Sequence, residues 1–222
     1  MPKHIGIIMD GNRRWAKSKR KPAVFGHRAG VKNIVPVVST AFDYGVDAVT
    51  LYAFSSENKC REANEVNALV DLIRTQLKPL TRPLIARGSR VMFSGDDTYF
   101  PNDVRKIMAE IASENTDKSA QVVNIALNYG SRNEIVRAAT LAARSGEITA
   151  QSFEKCLYTA ELPDPDMIIR TGGEKRLSNF LMYQAAYSEL FFTDTLWPDF
   201  GGDELLSLFD EFNHRTRRFG KL

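Results

Sequence analysis

The chain predicts an α/β fold: a single domain over residues 1–222, with a central, mostly parallel, six-stranded sheet flanked by helices. Three observations lead there. Short strand-like runs alternate with longer helix-like stretches, as in a parallel sheet joined by right-handed crossovers. Several runs, such as Leu51-Tyr52-Ala53-Phe54, are apolar throughout, as strands covered on both faces should be. A chain of 222 residues that is 43% hydrophobic can bury one substantial core.

In chain order, the apolar runs place strands at 5–9, 48–53, 90–94, 122–127 and 167–170, with a sixth near 189–192. Helices are expected over 26–44, 64–86, 101–115, 133–143 and 203–218, with helix-like sequence also following Trp15. The 64–86 stretch sets Val66, Leu69, Val70, Ile73, Leu77, Leu80 and Leu84 mostly on one stripe, the pattern of ordinary core packing or of the wall of a greasy tunnel. Pro79 and Pro83 are expected to bend or interrupt it. There is no internal repeat, low-complexity tract or long linker.

The net charge of +3, from 30 basic and 27 acidic residues, excludes a polyanion binder in bulk. The basic residues are uneven: Arg13, Arg14, Lys17, Lys19, Arg20 and Lys21 crowd one stretch, and Arg215, Arg217, Arg218 and Lys221 another. Such runs are a solvated face or a phosphate-binding patch. No helix-turn-helix, zinc-finger or RNA-binding signature accompanies them, so no nucleic-acid partner is expected. Cys60 and Cys156 have neither metal-ligand spacing nor a disulfide pattern. With no signal peptide and no long apolar span, the expectation is a cytoplasmic protein without stable membrane insertion.

The opening segment carries the clearest chemistry. The first strand ends in Asp10-Gly11-Asn12-Arg13-Arg14-Trp15. In open α/β folds the carboxyl edge of the sheet is where ligands bind. Backbone N–H groups at a helix start, with arginine clamps, favour a multi-oxygen anion such as a diphosphate. A carboxylate at Asp10 repels such an anion unless a divalent cation lies between, which points to Mg²⁺.

Four more clusters sit at or near strand ends. They are Phe54-Ser55-Ser56-Glu57-Asn58 with Arg61 beyond; Asn128-Tyr129-Gly130-Ser131-Arg132; Arg170 through Arg176 and Ser178 to Phe180; and Tyr187-Ser188-Glu189-Leu190. Each alone has a dull explanation in caps, turns and surface pairs. Gathered at one sheet edge, they read as a site. Arg170, Arg176 and Ser178, with Gly172 and Gly173 between them, suit a second diphosphate. Glu189 is the acid that would join Asp10 on a metal. His27, at an expected helix start, is a candidate donor to a leaving phosphate. No Ser-His-Asp order, Walker loop or Gly-x-Gly-x-x-Gly follows, which argues against acyl transfer and nucleotide binding.

These residues resemble the cis-prenyltransferases, the undecaprenyl diphosphate synthase family, almost end to end. The match includes Met9-Asp10-Gly11-Asn12, Arg14-Trp15-Ala16, Gly26-His27-Arg28-Ala29-Gly30 and Leu162-Pro163-Asp164-Pro165-Asp166, and it runs on from Ile169 to Phe200. The resemblance implies a homodimer with a hydrophobic tunnel and Mg²⁺-dependent coupling of an allylic diphosphate to a second isoprenoid diphosphate, normally isopentenyl diphosphate. By the same resemblance, Asp10 and Glu189 bind the metal. Gly11, Asn12, Arg14, His27 and Arg61, with Arg13 and Trp15 in the same loop, surround the allylic diphosphate. Arg170, Arg176 and Ser178 take isopentenyl diphosphate, and Phe54, Ser55, Glu57 and Asn58 stand beside the reacting carbons. Arg218 and Gly220 belong to a terminal Arg-x-Gly that reaches the neighbouring subunit. Ser55, Asn58 and a diphosphate oxygen are all candidates for the final base. A long product would bring peripheral membrane association.

The sequence departs from the family at Arg13, Ala23, Lys59, Cys60 and Glu62. Drift is one explanation. Another is an acceptor site rebuilt for dimethylallyl diphosphate, giving head-to-middle, lavandulyl-type products. A non-catalytic partner subunit is disfavoured by the survival of Asp10, Arg170, Arg176, Ser178 and Glu189.

Overall fold

A computed structural model of the chain describes residues 1–60, 62–117, 120–146 and 148–216. The chain runs β1 (His4–Ile8), α1 (Asn12–Ser18), α2 (Ala23–Tyr44), β2 (Ala48–Ser55), α3 (Ala63–Ala86), β3 (Arg90–Ser94), α4 (Asn102–Glu114), β4 (Val122–Tyr129), α5 (Ser131–Arg144), α6 (Ala150–Glu154), β5 (Met167–Arg170), β6 (Glu189–Phe192) and α7 (Gly202–His214). Strand order is β3-β4-β2-β1-β5-β6, and every pairing is parallel. All carboxyl ends therefore share one edge.

β1 and β4 are buried at every position, so their apolar runs face packed layers on both sides. The larger layer joins the sheet to α2, α3, α4 and α7 through residues such as Val37, Leu84, Val104 and Phe209. The smaller one gathers Ile8, Tyr129, Ile168, Phe180 and Leu181 on the opposite face.

A chain of polar side chains crosses this otherwise apolar sheet. Ser94 donates to Asn124 (2.9 Å), Asn124 donates to Thr50 (3.2 Å), and Thr50 meets His4 Nε2 at 2.8 Å. His4 Nδ1 ends the chain on the Pro163 carbonyl at 2.6 Å. Nδ1 must donate to that carbonyl, so Nε2 accepts, and the imidazole is neutral. Burial opposes its charging and lowers its pKa to about 4, against smaller opposing effects of Pro163 and Asp166.

The structure revises several expectations. α3 is one helix across Pro79 and Pro83. Those prolines leave the Thr75 and Pro79 carbonyls without the usual donor four residues on, and packing of the apolar stripe sustains the helix regardless. α1 begins inside the opening loop, immediately after Gly11, whose φ of 109° lies in the left-handed region. α5 begins at Ser131, two residues before the expected start, and α7 closes at His214.

Candidate active site

The site is built by the segments that leave the carboxyl edge at β1, β2, β4 and β5. The β1 loop is held from both sides. Asp10 N–H donates to Thr171 Oγ1 (3.0 Å), and that hydroxyl donates back to the Asp10 carbonyl (2.8 Å). Trp197 N–H also donates to that carbonyl, at 2.9 Å. Helix α2 then crosses close above. A Cβ at Gly26 would lie 1.9 Å from the Asn12 carbonyl oxygen, so only glycine permits this approach.

The resulting cleft holds about 710 Å³ and is lined by Asp10, Asn12, His27, Ser55, Glu57, Asn58, Arg132, Arg170, Arg176, Ser178 and Asn179, with Tyr52 at its floor. Arg170 is its centre, with a side chain only 6% exposed. Its Nη2 donates to Asp10 Oδ2 (2.9 Å), and its Nη1 donates to Ser178 Oγ and to the Arg176 carbonyl (2.6 Å each). Arg14 approaches the other Asp10 oxygen at 3.3 Å. Ser178 and Asn179 both have positive φ, 50° and 64°. Such backbone stores roughly 1 kcal/mol or more per residue and concentrates at functional sites.

Asn179 ties the clusters together. Its Nδ2 donates to Glu57 Oε1 (2.7 Å), and its Oδ1 accepts from Arg132 N–H (2.9 Å). Its carbonyl accepts from Ser131 N–H at 2.8 Å. Burial pushes the Glu57 carboxyl upward, but hydrogen bonds from Asn179, its own backbone, Ser56 and Ser55 outweigh this and hold it below its usual range. Ser55 and Asn58 bond reciprocally: Asn58 Oδ1 accepts from Ser55 N–H (3.0 Å), and Ser55 Oγ accepts from Asn58 N–H (3.2 Å). Tyr52 is stacked on Phe180 at 4.6 Å, and burial raises its hydroxyl pKa, so it stays neutral.

Below the cleft lies an apolar cavity of about 90 Å³, walled by Ile34, Phe54, Ile73, Leu77, Leu80 and Leu127 among others. Met9, Asn12, His27, Ala53 and Leu69 line both spaces. A polar, cationic mouth therefore opens onto a greasy pocket between α2 and α3. The stripe on α3 is a cavity wall as well as core.

Most of the residues expected from sequence meet here, but some do not. Phe54 sits in the apolar cavity, packed against Tyr99 and Phe100, and not beside the polar groups. The cause is a register shift in β2 between Tyr52 and Phe54, which turns these residues to opposite faces of the sheet. Arg13 points outward to Glu65 at 3.5 Å. Trp15 donates to Asp199 Oδ1 at 2.7 Å, bracing α1. Glu189 is the largest displacement. It opens β6 and pairs with Met167 at the amino edge, whereas Arg170 and Asp10 stand at the carboxyl edge. Three residues of strand, about 10 Å, separate those levels, and Glu189 instead accepts from Arg215 (2.8 Å). The fourth cluster thus precedes its strand, and this chain does not bring its two expected metal acids together. Arg61, Arg218 and Gly220 lie outside the described residues, as do the side chains of Lys59 and Cys60. Conversely, Tyr52, Arg132 and Asn179 line the cleft although sequence reasoning gave them no role. For Arg132 a signal existed in its cluster after the fourth strand.

Among the described residues, no three His, Cys, Asp or Glu side chains group as a metal cage. Of the two carboxylates that line the cleft, Glu57 is held by Asn179, and Asp10 stands partly exposed at the end of the first strand. That donor set fits Mg²⁺ held jointly by one carboxylate, substrate phosphates and water, and does not fit a dedicated all-protein site.

Comparison with known proteins agrees with this geometry. A family model described as putative undecaprenyl diphosphate synthase matches residues 8–220. The chain is 45% identical to the isoprenyl transferase of Clostridium perfringens, covering 99% of this chain and 90% of that protein. It is 42% identical to the ditrans,polycis-undecaprenyl-diphosphate synthase ((2E,6E)-farnesyl-diphosphate specific) of Pseudomonas aeruginosa, covering 100% and 91%. Its fold superposes on lavandulyl diphosphate synthase from Lavandula x intermedia, solved with dimethylallyl diphosphate, with a TM-score of 0.95 at 32% identity over 99% and 98% of the chains. It superposes on a probable undecaprenyl diphosphate synthase from Campylobacter jejuni with a TM-score of 0.84 at 30% identity over 100% and 99%. A polar cleft above an apolar pocket, on this sheet and with this extent of similarity, places the chain in the undecaprenyl diphosphate synthase family of cis-prenyltransferases.

Proposed function

We propose that the protein couples an allylic diphosphate to isopentenyl diphosphate, extending the chain with a cis double bond. The observation that carries this reading is the continuity of the cationic cleft with the apolar cavity. One end suits two diphosphates and the other a hydrocarbon tail.

In this reading the donor diphosphate lies against Gly11, Asn12 and Arg14 at the start of α1, and His27 donates a proton to it. Arg170, Arg176 and Ser178 hold the acceptor diphosphate. The allylic C–O bond breaks and its electron pair leaves with the diphosphate. The acceptor double bond then attacks the cationic carbon, and the proton lost from the new cation passes to an oxygen of the released diphosphate. The leaving charge develops where guanidiniums and helix N–H groups already point. Mg²⁺, when bound at Asp10, would supply further positive charge to the diphosphate oxygens. Ser55 and Asn58, fixed by their reciprocal hydrogen bonds, stand at the cleft wall as candidate positioning groups for the proton loss.

Homodimerisation is part of the reading. Tyr187 is 69% exposed and Leu190 37%, both beside or on β6, which has a neighbour on one side only. If Glu189 serves a metal, it does so across that edge from a second copy. Mixing inactive Asp10→Asn and Glu189→Gln proteins would then restore part of the activity, whereas no recovery assigns Glu189 to scaffold.

The shape match to lavandulyl diphosphate synthase supports one second reading, in which dimethylallyl diphosphate is also the acceptor. The greater identity to isoprenyl transferases favours the first. Incubation with Mg²⁺ and dimethylallyl, geranyl or farnesyl diphosphate, each with and without isopentenyl diphosphate, separates them by mass spectrometry of the products. Linear cis products that require isopentenyl diphosphate are expected. Products from dimethylallyl diphosphate alone would establish the second reading instead.

A further inference from the structure

The basic turn between α1 and α2 has no work in the cleft. Arg14 approaches Asp10 and Arg13 approaches Glu65. Lys17, Lys19, Arg20 and Lys21 are exposed, and no carboxylate pairs with them among the described residues. Arg13, Arg14, Lys17, Arg20 and Lys21 surround a shallow depression of about 460 Å³. Beside it Phe25 is 46% exposed, and Lys21 Nζ lies 5.7 Å from the centre of its ring.

A second feature adjoins these cations. Between α2 and α3, Val24, Ala68, Leu69 and Leu72 line a recess of about 270 Å³ that is largely apolar, with Asn64 and the Arg13-paired Glu65 also on its wall. Ala23 borders both the recess and the basic depression. His27, Leu69 and Leu72 border both the recess and the inner apolar cavity. The recess and the inner cavity therefore share one wall.

We infer that the α1–α2 turn and the adjoining α2–α3 recess form a face that docks on an anionic lipid bilayer, with the recess as a lateral passage for hydrocarbon. Unpaired cations attract anionic headgroups at roughly 1 kcal/mol each, about fivefold in binding per charge. The Phe25 ring reaches the interfacial layer, and long lysine side chains lay their stems along it while their charges stay in the headgroups. An apolar recess next to the cations matches a bilayer, where charge and hydrocarbon lie at successive depths. A nucleic-acid backbone would leave the recess unused. Only what moves through the passage rests on the proposed isoprenoid reaction.

The test is cosedimentation of the full-length protein, without substrate, on phosphatidylcholine vesicles with and without phosphatidylglycerol. Wild type is expected to bind the mixed vesicles, to ignore neutral ones and to be released by salt. A triple variant, Lys17→Gln, Arg20→Asn and Lys21→Gln, should bind about a hundredfold more weakly. Asparagine is chosen because Arg20 has a φ of 55°. Phe25→Ser should weaken binding while preserving its salt dependence. Both variants should keep wild-type turnover of soluble short-chain diphosphates, which also shows that they are folded. Wild type failing to prefer anionic vesicles, the triple variant binding like wild type, or a single-stranded oligonucleotide displacing the protein from vesicles would each overturn the proposal. Because no isoprenoid is present, failure here leaves the proposed reaction standing, and failure of that reaction leaves the docking face standing.

Discussion

Two polar networks cross this molecule, and they are built to opposite ends. The Ser94–Asn124–Thr50–His4 chain lies inside the sheet, carries no charge, and pairs each link with the next before ending on a backbone carbonyl. The Asp10–Arg170–Ser178 network lies at the sheet's edge, is charged, and opens onto the cleft with Arg14, Arg132 and Arg176 close by. The first is closed, so it stabilises and specifies register. The second sets Arg14, Arg132, Arg170 and Arg176 against Asp10, Glu57 and Glu174, a net positive charge, so it awaits an anion. Buried polarity alone therefore does not mark function here. A surplus of one charge facing a cavity does.

The largest effect that would separate the networks is on activity. Asp10→Asn keeps an acceptor for Arg170 but loses the carboxylate charge. Its Mg²⁺-dependent diphosphate release should fall at least about a hundredfold, with a thermal midpoint close to wild type. Unchanged release would remove Asp10 from the chemistry.

Next comes pH. His4 titrates near 6.5 when unfolded and at about 4 when folded, so between these values the unfolded chain binds the extra proton. Stability is complete above pH 6.5 and declines as pH falls toward 4, by up to about 3 kcal/mol. Urea denaturation across that range should show the slope, and His4→Gln should flatten it. A wild-type curve with no slope there would show that the closed network does not depend on neutral His4.

Thr50→Val cuts the closed chain and strands His4 Nε2 and the Asn124 amide. The expected cost is about 1–3 kcal/mol by denaturant titration, with turnover per folded molecule unchanged. A loss of turnover without loss of stability would couple the two networks. Smallest is Trp15→Phe, which removes the hydrogen bond to Asp199. It should cost about 1 kcal/mol and leave KM as it was. A raised KM would return Trp15 to the substrate site.

The sequence shows the scaffold better than the edge, and particular residues say why. Strand 167–170 reads correctly because it is buried along its whole length and its apolar run breaks only at Arg170, and 90–94 because its apolar centre Val91-Met92-Phe93 is bounded by polar residues. Asp10, Arg170 and Ser178 were legible because they follow strands whose direction a parallel sheet fixes. Glu189 stands apart from Asp10 within the chain because it opens a strand, and in a parallel sheet that puts it at the far edge. The signal was present in its position at the start of the 189–192 run. Phe54 could not be placed, since its face depends on a register shift that no alternation rule anticipates. Asn179 stayed hidden because the left-handed backbone at Ser178 and Asn179 brings it to the cleft, and Tyr52 because its face depends on the same β2 register shift as Phe54.

In the proposed reaction, headgroup and tail part company at the Met9–Asn12–His27 border, where cleft and cavity meet. A crystal structure with Mg²⁺ and the non-reactive farnesyl thiodiphosphate tests it most directly. The diphosphate is expected against Asn12, Arg14 and His27, and the hydrocarbon between α2 and α3 along Leu69, Ile73 and Leu77. A diphosphate bound outside the cleft, or a tail lying on the surface with the cavity empty, would contradict it.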